Sequence, residues 1–140
     1  MNLAKKKVLV IILLVFISTN VYADTIICPQ EIMVEQKLTS VSPQWQYFDS
    51  QKQHPFTTIS ISEGPPTQQA ILVPSKQIKN AKHQMDIWEF SNSALGYWIS
   101  CEYGGTSIAL YQKLNDGIKS CEVEYDPVFS SPQVKNVVCK

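Results

Sequence analysis

Glu122 and Glu124 stand two residues apart in the stretch Ser120 to Tyr125, and an extended chain puts two such carboxylates on one face, about 7 Å apart. A carboxylate pair is the working equipment of a glycosidase, one group donating a proton while the other acts as base or nucleophile. Here the pair alternates with Cys121, Val123 and Tyr125 and adjoins a turn, which marks its face as the solvated one. Histidine, which titrates near neutrality, is the other natural acid–base group. His54 precedes Pro55 at the end of the polar stretch Ser50 to Pro55, and His83 lies in the Lys-rich stretch Lys76 to Gln84, so both are expected as exposed loop residues. There is no G-x-S-x-G elbow, no H-E-x-x-H, no Gly-rich phosphate loop and no calcium-loop spacing. No catalytic residue and no cofactor are therefore assigned.

The four cysteines, Cys28, Cys101, Cys121 and Cys139, carry the second possible chemistry. None is in a C-x-x-C spacing and neither histidine is near one in sequence, so a metal site is not expected. An even number in a small exported domain reads as two disulfides instead, which also removes a thiolate nucleophile. Four cysteines allow three pairings. Cys28–Cys101 with Cys121–Cys139 is favoured, because Cys121 and Cys139 bracket a short strand-turn-strand stretch and Cys28 otherwise leaves the N-terminus loose.

Binding chemistry is concentrated near residue 100. Tyr97, Ile99, Cys101 and Tyr103 alternate with Trp98, Ser100 and Glu102, and the run meets Gly104-Gly105, a pair able to take the positive φ angles of a tight hairpin. Thr106 and Ser107 follow with two hydroxyls. With Tyr97 and its partners turned inward, the pleat sends Trp98 and Glu102 outward. Trp98, Glu102, Gly104, Gly105, Thr106 and Ser107 are accordingly the candidate partner-binding residues: an aromatic anchor and a charge beside a protruding, preorganised turn. The remaining aromatics, Trp45, Tyr47, Phe48, Trp88 and Phe90 among them, are read as core volume.

The elements that must hold this turn read as mainly β. Period-2 patches recur between turn residues, and past the N-terminal segment no helical stripe persists for three turns. Candidate strands run over Ile32 to Leu38, Thr57 to Ser62 (stopped by Gly64-Pro65-Pro66), Ala70 to Val73 as a short buried strand, Asp86 to Phe90, Tyr97 to Tyr103, Ser107 to Leu114 and Ser120 to Tyr125. Val134 to Cys139 follows as a last edge strand. Lys76 to Gln84 is assigned to a solvated loop or a single helical turn. The whole is a single-domain antiparallel meander closing toward a sandwich or small barrel, with room for one short helix.

The N-terminus carries an address. Lys5-Lys6-Lys7 precedes the apolar run Val8 to Ile17, too short to span about 30 Å of hydrocarbon, and the chain then turns polar and reaches Val21-Tyr22-Ala23. This predicts a signal peptide over residues 1–23, cleavage after Ala23, and a periplasmic domain over 24–140 with no stable membrane anchor. The 140 residues hold twelve lysines, no arginine and twelve acids; without the three leader lysines the balance is −3. A mildly acidic chain with no arginine is not a nucleic-acid binder.

Several separated motifs, namely Ile27-Cys28-Pro29, Val34-Glu35-Gln36-Lys37-Leu38, Trp45, Glu63-Gly64-Pro65-Pro66, Leu72-Val73-Pro74, the run from Trp98 to Ser107 and Ser120-Cys121-Glu122-Val123, carry a resemblance over essentially the whole mature chain. The sequence resembles a family of small exported proteins of Gram-negative bacteria, many encoded in type VI secretion neighbourhoods. The resemblance implies a periplasmic immunity protein paired with a toxin of the L,D-transpeptidase type that attacks peptidoglycan metabolism. It transfers no binding residue.

Together these readings give a protein partner and inhibition by occupancy of an enzyme's cleft. The alternative in the same class is a lysozyme inhibitor with a Ser-bearing loop, echoed by Gly104-Gly105-Thr106-Ser107. The alternative of another class is a small peptidoglycan-directed hydrolase built on Glu122 and Glu124.

Overall fold

The computed structural model describes residues 23–40, 42–127 and 133–140. Apart from Ala23, the expected signal peptide lies outside the described residues.

The described strands are β1 (Asp24–Thr25), β2 (Glu31–Met33), β3 (Gln53–Glu63), β4 (Lys76–Lys79), β5 (Gln84–Glu89), β6 (Tyr97–Tyr103), β7 (Ala109–Lys113), β8 (Ser120–Asp126) and β9 (Gln133–Cys139). They form two antiparallel sheets, one ordered β1-β9-β8-β5-β4 and the other β2-β3-β6-β7. The architecture is mainly β and sandwich-like, and its sequential antiparallel pairs are β2–β3, β4–β5, β6–β7 and β8–β9. Between β7 and β8 the chain passes from one sheet to the other, turning at Asp116-Gly117 with Leu114 buried just before. Among the described residues the one short helical element is a 3-10 turn at Pro66–Gln68.

Alternation decides what meets in the middle. Ile59 and Ile61 of β3 and Ile99, Cys101 and Tyr103 of β6 face Trp88 of β5, Cys121, Val123 and Tyr125 of β8, and Val137 and Cys139 of β9 in one apolar cluster. Two disulfides tie it. Cys121–Cys139 joins directly opposed residues of β8 and β9 with Cα atoms 4.1 Å apart, and Cys28–Cys101 fastens the segment ahead of β2 to β6 across 5.8 Å.

Five local expectations are corrected. The strand expected over Ile32 to Leu38 shrinks to β2: Val34 still buries and bonds Lys52, but polar Gln36 interrupts the alternation and Leu38 is exposed. Ala70 to Val73 is not a buried strand. Only Ile71 forms an isolated bridge, to Ser62, while the Leu72 carbonyl accepts the Trp88 indole N–H at 3.1 Å and Val73 is exposed. Lys76 to Gln84 is a loop only over residues 80–83. It supplies β4, an edge strand kept polar as edges usually are, and a turn in which the Asn80 side chain accepts the N–H groups of Lys82 and His83. β9 is not an edge either, because β1 pairs along its outer side. Lastly, His54 lies within β3 with a relative exposure of 0% rather than in an exposed loop.

Candidate functional site

The burial of His54 builds the feature on which the candidate site rests. β3 and β6 pair in register from Thr58↔Glu102 to Glu63↔Tyr97, but Phe56 faces Tyr103, so Thr57 is an extra residue in a β-bulge. The bulge reverses which side chains point inward, so Ile59 and Ile61 share the core face with Phe56 and His54. The Phe56 and Tyr103 rings meet edge to face with centroids 6.0 Å apart. His54 reaches the turn beyond Tyr103: a carbonyl can only accept, so its Nδ1–H donates to the Gly104 oxygen at 2.8 Å.

Further bonds fix the same turn. The Gly104 N–H donates to the Pro55 carbonyl at 2.9 Å, and the Thr57 hydroxyl donates to the Glu102 carbonyl at 3.0 Å. Gly105 takes φ +78°, and a Cβ there would stand 3.2 Å from Gln51 Oε1 and 3.3 Å from His54 Nδ1, so conformation and space both select glycine. Its carbonyl accepts the Gln36 side-chain amide at 3.3 Å. Thr106 Oγ1 accepts the N–H of Ile108 at 3.2 Å, closing the loop into β7. The turn is thus held from β3, from the segment after β2 and from within itself.

Beside it, on the outer face of the sheet, runs an open groove of about 310 Å³. Ser60 and Ser100 in the strands and Thr106 and Ser107 in the turn bring hydroxyls to a surface that is more apolar than polar, and the nearly buried Ser62 donates its own hydroxyl to the Gly64 carbonyl. The Glu102 carboxylate is the groove's charge, with Ile71 and Ile108 as an exposed apolar rim. Three of the six candidate residues, Glu102, Thr106 and Ser107, meet in this groove, and Gly104 and Gly105 shape the turn that walls it. Trp98 does not line it. It sits farther along the same face, opposite Ser62 and Lys113, half-buried against the Tyr111 ring at 5.9 Å. A groove that mixes apolar surface with hydroxyls and one carboxylate can take up apolar side chains and pair with polar groups of another protein. It holds no histidine or thiol.

The groups that suggested enzyme chemistry are placed elsewhere. Glu122 and Glu124 lie on the solvent side of β8, each engaged by a lysine, Lys140 at 2.6 Å and Lys135 at 2.8 Å. His83 is exposed in the β4–β5 turn, and all four cysteines are in disulfides. Among the described residues, no group of three His, Cys, Asp or Glu side chains is arranged to hold a metal ion.

One group of residues was assigned to the core and is found outside. In the segment between β2 and β3, Trp45 is 70% exposed, Tyr47 49% and Phe48 85%. No sequence signal marks them: Trp45 and Tyr47 alternate with Gln44 and Gln46, so residue type and period both point inward.

A family model described as "Type VI secretion system Tli immunity protein" matches residues 50–140. No curated protein and no solved structure matches the chain. The matched segment takes in β3 to β9, and with them the hairpin, the groove and the Cys121–Cys139 bridge. It covers well over half of the 140 residues, so the chain belongs to the type VI secretion system Tli immunity protein family.

Proposed function

We propose that this chain is exported as a single-domain periplasmic protein, Asp24 to Lys140, which neutralises a type VI secreted toxin by binding it and blocking its active site. The observation that carries the reading is the family match over the segment that builds the hairpin and the groove. An inhibitor that enters a cleft gains from a turn ordered in advance, since each side chain immobilised on binding costs about 0.5 to 1.5 kcal/mol. The turn at 104–107 meets that need through the bonds of His54, Thr57 and Gln36. Glu102, Thr106 and Ser107 supply polar contacts and Trp98 the aromatic contact at the margin.

The resemblance further implies that the toxin attacks the cell wall, and the Lys-rich n-region with its short apolar run supports an encounter in the periplasm. The chain performs no catalysis in this reading. The engagement of Glu122 and Glu124 by Lys140 and Lys135 supports that part. Lysozyme-type enzymes form the second target class, favoured by the Ser-bearing turn.

The test is a growth assay in cells that express, with a periplasmic export signal, the toxin encoded beside this gene. The full-length chain should restore growth and a version beginning at Asp24 without its leader should not. Equal protection by the leaderless version would reject the periplasmic reading, and no protection by either would reject immunity to that toxin.

A further inference from the structure

The strongest exposed apolar feature of the molecule is the loop that carries Trp45, Tyr47 and Phe48, and its stem leads to the candidate site. Val34 N–H donates to the Lys52 carbonyl at 2.9 Å, and Gln36 N–H donates to the Asp49 carboxylate at 3.2 Å, which draws the two ends of the segment together. The same Gln36 donates through its side chain to Gly105, and the Gln51 side chain, on the returning limb, occupies the space that a Cβ at Gly105 would need. The loop and the Gly104–Ser107 turn therefore rise from one end of the protein with a shared hydrogen-bonded base.

We propose that this aromatic loop is the second half of the toxin-binding surface, with Trp45 and Phe48 as its anchors. The proposal rests on the immunity reading above. Three observations support a protein as the occupant. Trp and Tyr are the residue types that dominate binding energy at protein interfaces, and three aromatics within four residues present a compact anchor. Residues 42–48 carry no charge, whereas a segment that docks on an anionic lipid surface is helped by Lys or Arg beside its aromatics. The loop's base is also bonded to the Gly104–Ser107 turn through Gln36, so the aromatics extend the surface already proposed to meet the toxin.

Trp45→Ala and Phe48→Ala variants of the Asp24–Lys140 chain test this by calorimetry against the toxin encoded beside the gene. Val73→Ala, at an equally exposed apolar position on another segment, serves as control. Unchanged unfolding midpoints confirm the fold of each. Either loop variant should weaken binding about thirtyfold or more, as loss of a hot spot does, and the control should bind like wild type. Wild-type affinity in both loop variants overturns the loop assignment and leaves the immunity reading intact, whereas a wild-type chain that does not bind the toxin overturns both. In a parallel arm with phosphatidylethanolamine–phosphatidylglycerol vesicles, binding that the loop variants lose while toxin affinity stays unchanged would assign the loop to lipid and overturn the proposal.

Discussion

His54 is the side chain whose removal tests most about how the turn is held. It is fully buried, and it donates one hydrogen bond, 2.8 Å long, to the Gly104 carbonyl. His54→Ala deletes the ring and the donor together. Loss of a buried ring leaves a cavity; truncations of Leu, Ile or Met to Ala cost about 2 to 5 kcal/mol, and the smaller, partly polar imidazole belongs near 2. Leaving a partly buried carbonyl without its donor adds about 1 to 2 kcal/mol. The expected total is about 3 to 4 kcal/mol, a large part of a domain stability of about 5 to 15. His54→Asn separates the contributions, because the Asn amide nitrogen occupies nearly the position of Nδ1 and keeps a donor there. It should cost only about 2 kcal/mol. Urea unfolding at constant pH, comparing midpoints at unchanged m, measures both values. Equal losses in the two variants would show that the bond to Gly104 contributes nothing. A loss under about 1 kcal/mol in either would show that His54 does not support the turn.

Two other predictions concern the scaffold. In the chain-entropy account, a bridge stabilises more when it closes a longer loop: separations of 73 and 18 residues give about 4.5 and about 3 kcal/mol for Cys28–Cys101 and Cys121–Cys139. Paired Cys→Ala variants should therefore lose stability in that order on denaturation, and the reverse order would mean that packing, not loop closure, dominates. In the other, burial and then the neighbouring Asp86 carboxylate push the Tyr125 phenol well above its ordinary value of 10.0, and its hydroxyl donates to Asp86 at 3.1 Å. A group with a raised folded pKa contributes stability that is complete below the unfolded value and lost as pH rises through the folded one. The unfolding midpoint should fall as pH climbs above about 10, and less steeply in Tyr125→Phe; parallel curves for the two proteins would refute the assignment.

What the sequence showed and what it hid have physical causes. Tyr97 to Tyr103 and Ser120 to Tyr125 were legible because their inward residues are apolar at every second position and a glycine-bearing or proline-bearing turn ends each. His54 was hidden by the bulge. Extrapolating the alternation of Ile59 and Ile61 back through Thr57 points His54 and Phe56 at solvent, and the one extra residue at Thr57 turns both into the core. β4 was hidden by its lysines, since an edge strand needs few apolar residues and Ile78 is its only one. Trp45, Tyr47 and Phe48 misled through residue type: aromatics suggest core, but the segment pairs only near its ends and its middle stays outside. The assignment of β8 to the opposite sheet from β7 rests on pairing with β5, a partner more than thirty residues away that no local pattern announces. Of the candidate site, the turn and its hydroxyls were readable, and the groove beside them required Ser60 and Ser62 from a distant strand.

The central claim is inhibition by stoichiometric binding. Its most direct measurement is the residual activity of the purified toxin encoded beside this gene, assayed on that toxin's own substrate while purified Asp24–Lys140 is titrated in at concentrations well above the dissociation constant. Activity should fall linearly and reach zero at a fixed molar ratio, with the chain recovered unmodified in a complex. Full toxin activity at a large molar excess of the chain would contradict the account. Inactivation by a small fraction of an equivalent would contradict it too, because only turnover can silence more toxin than there is inhibitor.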